Sequence, residues 1–156
     1  MIFAAYCDAD HGGNVDSGKS TGGDLITIAG GAVSWASKLQ SIVALSTTEA
    51  EYIAAVEGAK EVVWMRQLLS EFGLRVSGPS ALRVDNQATI SASNNPEHHG
   101  RIKHLDLRFY WLRDTVAAGI ITPEFIPTSE QPADIFTKPL ARLDFKRCRT
   151  QLGLSL

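Results

Sequence analysis

Two glutamates separated by one residue lie at the start of a predicted helix, in the stretch SIVALSTTEAEYIAA. Glu49 and Glu51 point to different sides of a helix, because neighbours on one face are three or four residues apart. Ser46 lies three residues before Glu49, which is the spacing of a capping box, in which the glutamate reaches back to the backbone N–H of the cap residue. We therefore expect Glu49 to be structural and Glu51 to be available for chemistry.

Three aspartates also lie at the ends of predicted elements. Asp8 closes the first strand, Asp85 closes the fourth, and Asp134 lies in the first turn of the predicted last helix. Each has a simpler structural interpretation. Asp8 could belong to a turn, Asp85 could cap the next helix, and Asp134, like Glu51, could favour the positive end of a helix dipole.

Taken together, these acids predict a metal site. Asp8 and Asp85 end strands of a common predicted sheet, so their carboxylates could converge at one edge. Clusters with oxygen ligands only suit Mg²⁺. Two such ions about 3.5–4 Å apart can activate water and stabilise a leaving oxygen in phosphodiester hydrolysis.

The elements that would position the acids follow from hydrophobic periodicity and from breaker residues. Strands are predicted at residues 2–8, 24–35 (broken near Gly30–Gly31 by a turn or bulge), 33–46, 80–85 and 120–127, and Pro123 indicates that the fifth is an edge strand. Helices are predicted at 47–72, 86–95, 104–119 and from 128–133 onward, with an interruption at Lys138–Pro139. This order predicts an α/β protein whose five-stranded mixed sheet is flanked by helices.

Composition fits one domain spanning residues 1–156. The chain has 156 residues, 44% of them hydrophobic, and no apolar run approaches the length of a membrane span. Two distant cysteines indicate neither a disulfide framework nor a zinc site, which favours a reducing compartment. A net charge of −2 argues against binding nucleic acid by bulk electrostatics, although basic residues cluster at 101–108 and 138–149.

Six stretches, YCDAD, GKST, GGAVSWASKLQSIVALSTTEAEYIA, VDNQATI, KHLDLRFYWLRD and PADIFTKPL, cover nearly the whole chain in order. They resemble the ribonuclease H domain of copia-type LTR retrotransposon reverse transcriptases. The resemblance implies a ribonuclease-H-like fold and endonucleolytic cleavage of the RNA strand of RNA–DNA hybrids during reverse transcription, with 5′-phosphate products. It implies two Mg²⁺ ions, with Mn²⁺ as a substitute.

The resemblance also implies site residues, position by position. The catalytic and metal-binding set would be Asp8, Glu51, Asp85 and Asp134. We expect Asp8 to be shared between the ions, because it lies at the centre of the predicted edge. The nucleic-acid-binding set would be Ser46, Thr47, Thr48, Asn86, Gln87, Lys103 and His104. Two departures stand out: His11 follows the first acid motif where the family often has Trp, and no histidine shortly precedes Asp134.

The same resemblance implies partners and a location. The partners would be an RNA–DNA hybrid and the adjacent reverse transcriptase domain of the same polyprotein. This domain would be excised from that polyprotein, and no membrane would be a partner. The location would be intracellular, in a cytoplasmic virus-like particle or the nucleus, without secretion. Two alternatives stay open: a catalytically inactive ribonuclease-H-like connection module, and a transposase-like nuclease acting on DNA. The fold alone does not discriminate among them.

Overall fold

A five-stranded mixed sheet forms the centre of the protein. A computed structural model describes residues 3–94 and 106–154, with the backbone alone at 106. The strands are β1 (Phe3–Ala9), β2 (Thr21–Ile28), β3 (Gly31–Leu39), β4 (Ser80–Val84) and β5 (Ile121–Phe125). Their spatial order is β3-β2-β1-β4-β5, with β1–β2 and β2–β3 antiparallel and β1–β4 and β4–β5 parallel. The predicted mixed sheet and its β5 edge are confirmed.

In the described residues, four α-helices and two 3₁₀ helices accompany the sheet. They are α1 (Thr47–Glu71), α2 (Gln87–Asn94), α3 (Asp106–Ala117), α4 (Arg142–Gln151) and the 3₁₀ helices Thr128–Glu130 and Pro132–Phe136. The prediction for α1 is accurate to one residue, because Gly73 follows with a φ of 74°, a conformation that glycine adopts freely. No helix in the described ranges has the length and apolarity to cross a membrane.

The break predicted near Gly30 is a turn, and it separates two strands. Ala29 and Gly30 both have positive φ, 51° and 82°, and form a tight hairpin turn between β2 and β3, so residues 24–35 do not form one interrupted strand. Positive φ at both central residues matches the right-handed twist of the paired strands. The third strand also ends earlier than predicted, at Leu39, and residues 40–46 form the connection to α1.

The prediction for the start of the last helix is also wrong. Residues 128–136 form two short 3₁₀ helices, and the α-helix begins only at Arg142. Three prolines, at 127, 132 and 139, remove backbone N–H donors and so prevent a continuous α-helix here. Asp134 therefore lies in the second 3₁₀ helix and not in the first turn of an α-helix.

Small residues allow α1 to pack closely on the sheet. Ala54 and Ala55 are buried, and a Cβ added at Gly58 would lie 3.2 Å from Cys7 Cβ in β1. On another side of the helix the rings of Tyr52 and Phe109 stack with centroids 3.8 Å apart, which joins α1 to α3. The close approach holds the first turns of α1 against the end of β1.

Candidate active site

Three carboxylates meet at one edge of the sheet. Asp8 is near the end of β1, Asp85 directly follows the parallel neighbour β4, and Glu51 comes from the start of α1. One carboxylate oxygen from each residue lies within 4.8 Å of the other two. Asp8 and Glu51 are buried, with exposed fractions of 1% and 7%. The convergence expected from the strand ends is thus present.

Crowding and burial disfavour the charged forms of these acids. Burial raises the pKa of Glu51 well above its ordinary value, and the charges of Asp8 and Asp85 raise it further. Burial also raises the pKa of Asp85, although a hydrogen bond from Thr128 opposes the shift. Glu51 Oε1 accepts a hydrogen bond of 3.4 Å from Ala9 N, whereas the buried Oε2 has no hydrogen-bond partner among the described residues.

The fourth acid reaches the cluster through a lysine. Lys138 Nζ lies 2.9 Å from Asp134 Oδ1 and 3.8 Å from Asp8 Oδ2, so its ammonium bridges the two carboxylates. Burial raises the pKa of Asp134 to about 6, with Asp8 adding to the rise and the neighbouring Lys138 opposing it. Burial by itself would lower the pKa of Lys138, but Asp134 and Asp8 raise it above its ordinary value. Asp134 is therefore beside Asp8, outside the tighter group of three.

Two residues that the sequence did not point to place Asp134 beside β1. Gln131 is completely buried and donates from Nε2 to the carbonyl of Cys7 at 3.0 Å. Gly23 in β2 pairs with Asp8, and a Cβ there would lie 2.8 Å from Phe136 Cβ and 2.9 Å from Thr137 Cγ2. The second 3₁₀ helix thus packs directly on β2 because position 23 lacks a side chain.

Hydroxyl groups hold two of the acids in place. Thr137 Oγ1 donates a hydrogen bond to Asp8 Oδ2, and Thr128 Oγ1 donates one of 2.7 Å to Asp85 Oδ2. Both threonines belong to the 3₁₀ region or its end, which lies far from Asp8 and Asp85 in the sequence. Sequence reasoning missed them, because a threonine in a polar loop carries no signal of its partner.

Glu49 has the structural position expected for it. Ser46 is the N-cap of α1, and its Oγ accepts from Glu49 N at 3.1 Å. The reciprocal bond differs from the expectation: Glu49 Oε2 accepts from Leu45 N at 2.8 Å, and not from the backbone N–H of Ser46. The carboxylate of Glu49 therefore bonds to Leu45, one residue before the extended cap residue Ser46, and still satisfies a backbone donor near the helix start.

The capping alternative for Asp85 is wrong. Asn86 Oδ1 accepts from Ala88 N at 2.9 Å and from Thr89 N at 3.2 Å, so Asn86 caps α2. Asp85 is left with a hydrogen bond from Thr128 and a position in the acid cluster.

The predicted nucleic-acid contacts fall on two neighbouring helix starts. Ser46 and Thr47 are exposed at the start of α1, and Gln87 is exposed at the start of α2. The two starts approach each other where Thr89 Oγ1 lies 3.5 Å from the carbonyl oxygen of Thr48. Thr48 and Asn86 are partly buried. Lys103 and His104 lie outside the described residues.

The donor set fits hard cations. Its members are carboxylates without histidine or thiol ligands, and a buried carboxylate oxygen in the group of three lacks a partner among the described residues. Asp8, Glu51 and Asp85 would hold one ion, and Asp8 with Asp134 a second. Such an arrangement can bind a phosphodiester, orient water and stabilise negative charge on oxygen.

Comparisons with known proteins place the chain. It is 44% identical, over 98% of its length, to a retrovirus-related Pol polyprotein from transposon TNT 1-94 of Nicotiana tabacum, and spans 11% of that polyprotein. No family model matches. The chain belongs to the retrotransposon Pol polyprotein family.

Solved structures show the fold of this Pol domain. LC11-RNase H1 in complex with RNA/DNA hybrid has a TM-score of 0.64 at 17% identity, covering 86% of the Pol domain and 93% of that chain. Prototype Foamy Virus protease-reverse transcriptase has a TM-score of 0.52 at 12% identity, covering 99% of the Pol domain and 21% of that chain. The Pol domain has the ribonuclease H fold.

Proposed function

We propose that this domain is a metal-dependent endonuclease that hydrolyses the RNA strand of RNA–DNA hybrids during retrotransposon reverse transcription. The observation that carries the proposal is the convergence of Asp8, Glu51 and Asp85 within 4.8 Å, with Asp134 beside Asp8. Three of the four carboxylates, Asp8, Glu51 and Asp134, are buried at this sheet edge although each would be more stable in water, and bound metal ions would offset that cost. The complete set argues against an inactive connection module.

The four acids would act as ligands for two Mg²⁺ ions, or for Mn²⁺ in their place. Bound there, the ions would supply Lewis acidity and lower the pKa of a water molecule. Asp8 lies between the two halves of the site and would contribute to both. Thr137 and Thr128 fix the orientations of Asp8 and Asp85 by their hydrogen bonds, so these carboxylates need little rearrangement on loading.

The substrate surface would be the pair of helix starts beside the acids. Backbone N–H groups and hydroxyls at the starts of α1 and α2 suit phosphates and 2′-hydroxyl groups, and the 2′-hydroxyl separates RNA from DNA. Ser46, Thr47 and Gln87 are exposed there, with Thr48 and Asn86 behind them. The resemblance also implies that Lys103 and His104 contact nucleic acid, and both lie outside the described residues. No base-reading motif accompanies these residues, so we expect little sequence preference.

The partners and location are inferred from the family. The chain spans 11% of the length of its tobacco relative, which is a Pol polyprotein. A structural neighbour is a protease-reverse transcriptase. We infer that the adjacent reverse transcriptase domain presents the hybrid to this domain, within the copia-type branch of the family and inside a cytoplasmic particle or the nucleus.

A substrate panel tests the proposed function. The purified domain is incubated with labelled RNA–DNA hybrid, double-stranded RNA and double-stranded DNA, each with Mg²⁺, with Mn²⁺, and with EDTA. Cleavage confined to the RNA strand of the hybrid, leaving 5′-phosphate ends and stopping in EDTA, supports the proposal. Cleavage of double-stranded DNA would indicate the transposase-like alternative, and the absence of any cleavage, even with the neighbouring reverse transcriptase domain added, would indicate the inactive module.

A further inference from the structure

Among the described residues, Lys138 is the cation that forms ion pairs with the acid cluster, and it contacts two of the four acids. Its ammonium lies 2.9 Å from Asp134 and 3.8 Å from Asp8. Among the described residues, Lys138 is not within salt-bridge distance of Glu51 or Asp85. Its charge therefore compensates Asp134 and the shared Asp8 by direct ion pairs, acts on Asp85 only at longer range, and leaves Glu51 without an ion pair to it.

We propose that Lys138 is a positioning residue that holds the place of a cation between Asp8 and Asp134 in the metal-free protein, and that this cation must displace its ammonium. The proposal rests on the proposed function, since it concerns the same metal site. It implies an order of loading: an ion binds first at Asp8, Glu51 and Asp85, and a second binds more weakly because it competes with Lys138.

The local structure allows this exchange. The backbone N–H of Lys138 donates to the Asp134 carbonyl at 3.3 Å, and Pro139 restricts the backbone of Lys138 from the other side. The backbone that carries the lysine is thus fixed, while 39% of its side chain is exposed. The flexible four-carbon stem can move into solvent without moving Asp134.

The two acids also differ from ordinary surface partners of lysine. Their side chains are only 2% and 7% exposed, whereas the Lys60–Glu57 pair on α1 is half exposed on both sides. Exposed pairs contribute little, because water screens them. Water stabilises a buried carboxylate poorly, so a buried carboxylate binds a cation more strongly, and removal of that cation costs more free energy. Lys60→Met is therefore a matched control for Lys138→Met.

The experiment is a titration of metal-free protein with Mg²⁺, followed by calorimetry and by the ¹⁵Nζ resonance of Lys138, assigned from its loss in Lys138→Met. In the wild type, the resonance should stay in place through the first equivalent and shift during the second. In Lys138→Met the weaker binding step should tighten roughly three- to tenfold, the range for a partly exposed charged pair. Lys138→Arg, which keeps the charge, and Lys60→Met should resemble the wild type.

Three outcomes would overturn the proposal. They are a Lys138 resonance that shifts with the first equivalent, a resonance that stays unchanged through both, and an unaltered weak step in Lys138→Met. Because these readouts need no substrate, they are independent of the proposed function. A protein that shows two ordered binding steps but leaves every hybrid intact would contradict the nuclease activity and leave the role of Lys138 standing.

Discussion

Glu49 and Glu51 show how two identical residues, two positions apart, can serve unrelated purposes. Each carboxylate accepts one backbone hydrogen bond and has one oxygen without a partner among the described residues. Glu49 accepts from Leu45 at the helix start, whereas Glu51 accepts from Ala9 at the end of β1. The helical rotation between the two positions turns one glutamate toward the connection from β3 and the other toward the sheet edge. Their substitutions should therefore have separable effects.

The first prediction concerns this pair. Glu51→Gln should reduce hybrid cleavage at least about a hundredfold, because a neutral amide is a poor ligand for a hard cation. Its metal-free melting temperature should be unchanged or higher, since the amide relieves repulsion from Asp8 and Asp85. Glu49→Gln, the matched control, should keep most activity because its amide oxygen can still accept from Leu45. Reversed effects would assign the ligand role to Glu49.

The second prediction is the pH dependence of the metal-free protein. The pKa of Glu51 is higher in the folded chain than in the unfolded chain. Between the two values the folded state holds a proton that the unfolded state has released, so stability is complete below the unfolded pKa and falls as the pH rises toward the folded one. The slope is at most about 1.4 kcal/mol per pH unit for this group.

Thermal melts in EDTA at pH 5 to 9 measure this effect. The melting temperature of the wild type should fall as the pH rises, and Glu51→Gln should show a flatter profile. In parallel melts with Mg²⁺ in place of EDTA, the melting temperature should rise most at the high end of the pH range, where the carboxylates are charged. A wild-type melting temperature that rises steadily with pH across this range would contradict the raised pKa of Glu51.

Among elements, the second 3₁₀ helix does most to complete the site. It places Asp134 beside Asp8, and it is followed directly by Thr137, which donates a hydrogen bond to Asp8, and by Lys138. Its position depends on direct contact with β2 at Gly23 and on the buried Gln131. The site is therefore sensitive to changes in β2, which contributes no ligand.

The third prediction tests this packing. Gly23→Ala should destabilise the protein by about 1–3 kcal/mol, because the added Cβ overlaps Phe136 and Thr137. It should also lower cleavage by displacing Asp134, while the α1–β1 contact stays intact. Gly31→Ala is the control, since its Cβ would meet only Ile28 O, at 3.9 Å. Denaturant unfolding and cleavage assays check both, and a Gly23→Ala protein equal to the control would contradict the role of Gly23.

The sequence was sufficient to predict a site residue where that residue lies at the end of a periodic strand or helix. Asp8, Glu51 and Asp85 follow or begin regular strands and helices, so topology alone brings them together. Asp134 was selected at the start of a predicted α-helix, and only the resemblance implied that it binds metal. That helix was wrong because three prolines favour 3₁₀ turns over α-helical turns. Gly23, Gln131 and the two threonines act through contacts far apart in sequence, which no local pattern contains.

For the whole molecule, charge is nearly balanced overall but uneven locally. The net charge is −2, while α4 carries Lys146, Arg147 and Arg149 with Asp144 as the acid among them. Arg147 already pairs with Asp144 at 2.9 Å, and Lys146 is exposed. Because α4 packs against the second 3₁₀ helix, a hybrid lying on the acid cluster could extend over this basic helix.

The fourth prediction addresses this surface. Changing Lys146, Arg147 and Arg149 together to Gln should weaken hybrid binding about equally for different sequences and reduce the salt slope, by up to about one unit per lost phosphate contact. Fluorescence anisotropy between 50 and 200 mM salt measures it, after a melt shows that the variant is folded. Lys60→Gln serves as the control, and an unchanged slope would mean that α4 is only a solvated face.

The most direct test of the central claim uses Asp8, which touches both halves of the site. RNA–DNA hybrid labelled on the RNA strand is offered to the wild-type domain and to Asp8→Asn, each with Mg²⁺ and with excess EDTA. The wild type should cut the RNA with Mg²⁺ and stop in EDTA, and a folded Asp8→Asn should fall at least about a hundredfold. Equal cleavage by the two proteins, or cleavage that persists in EDTA, would contradict the assignment of this carboxylate edge as the active site.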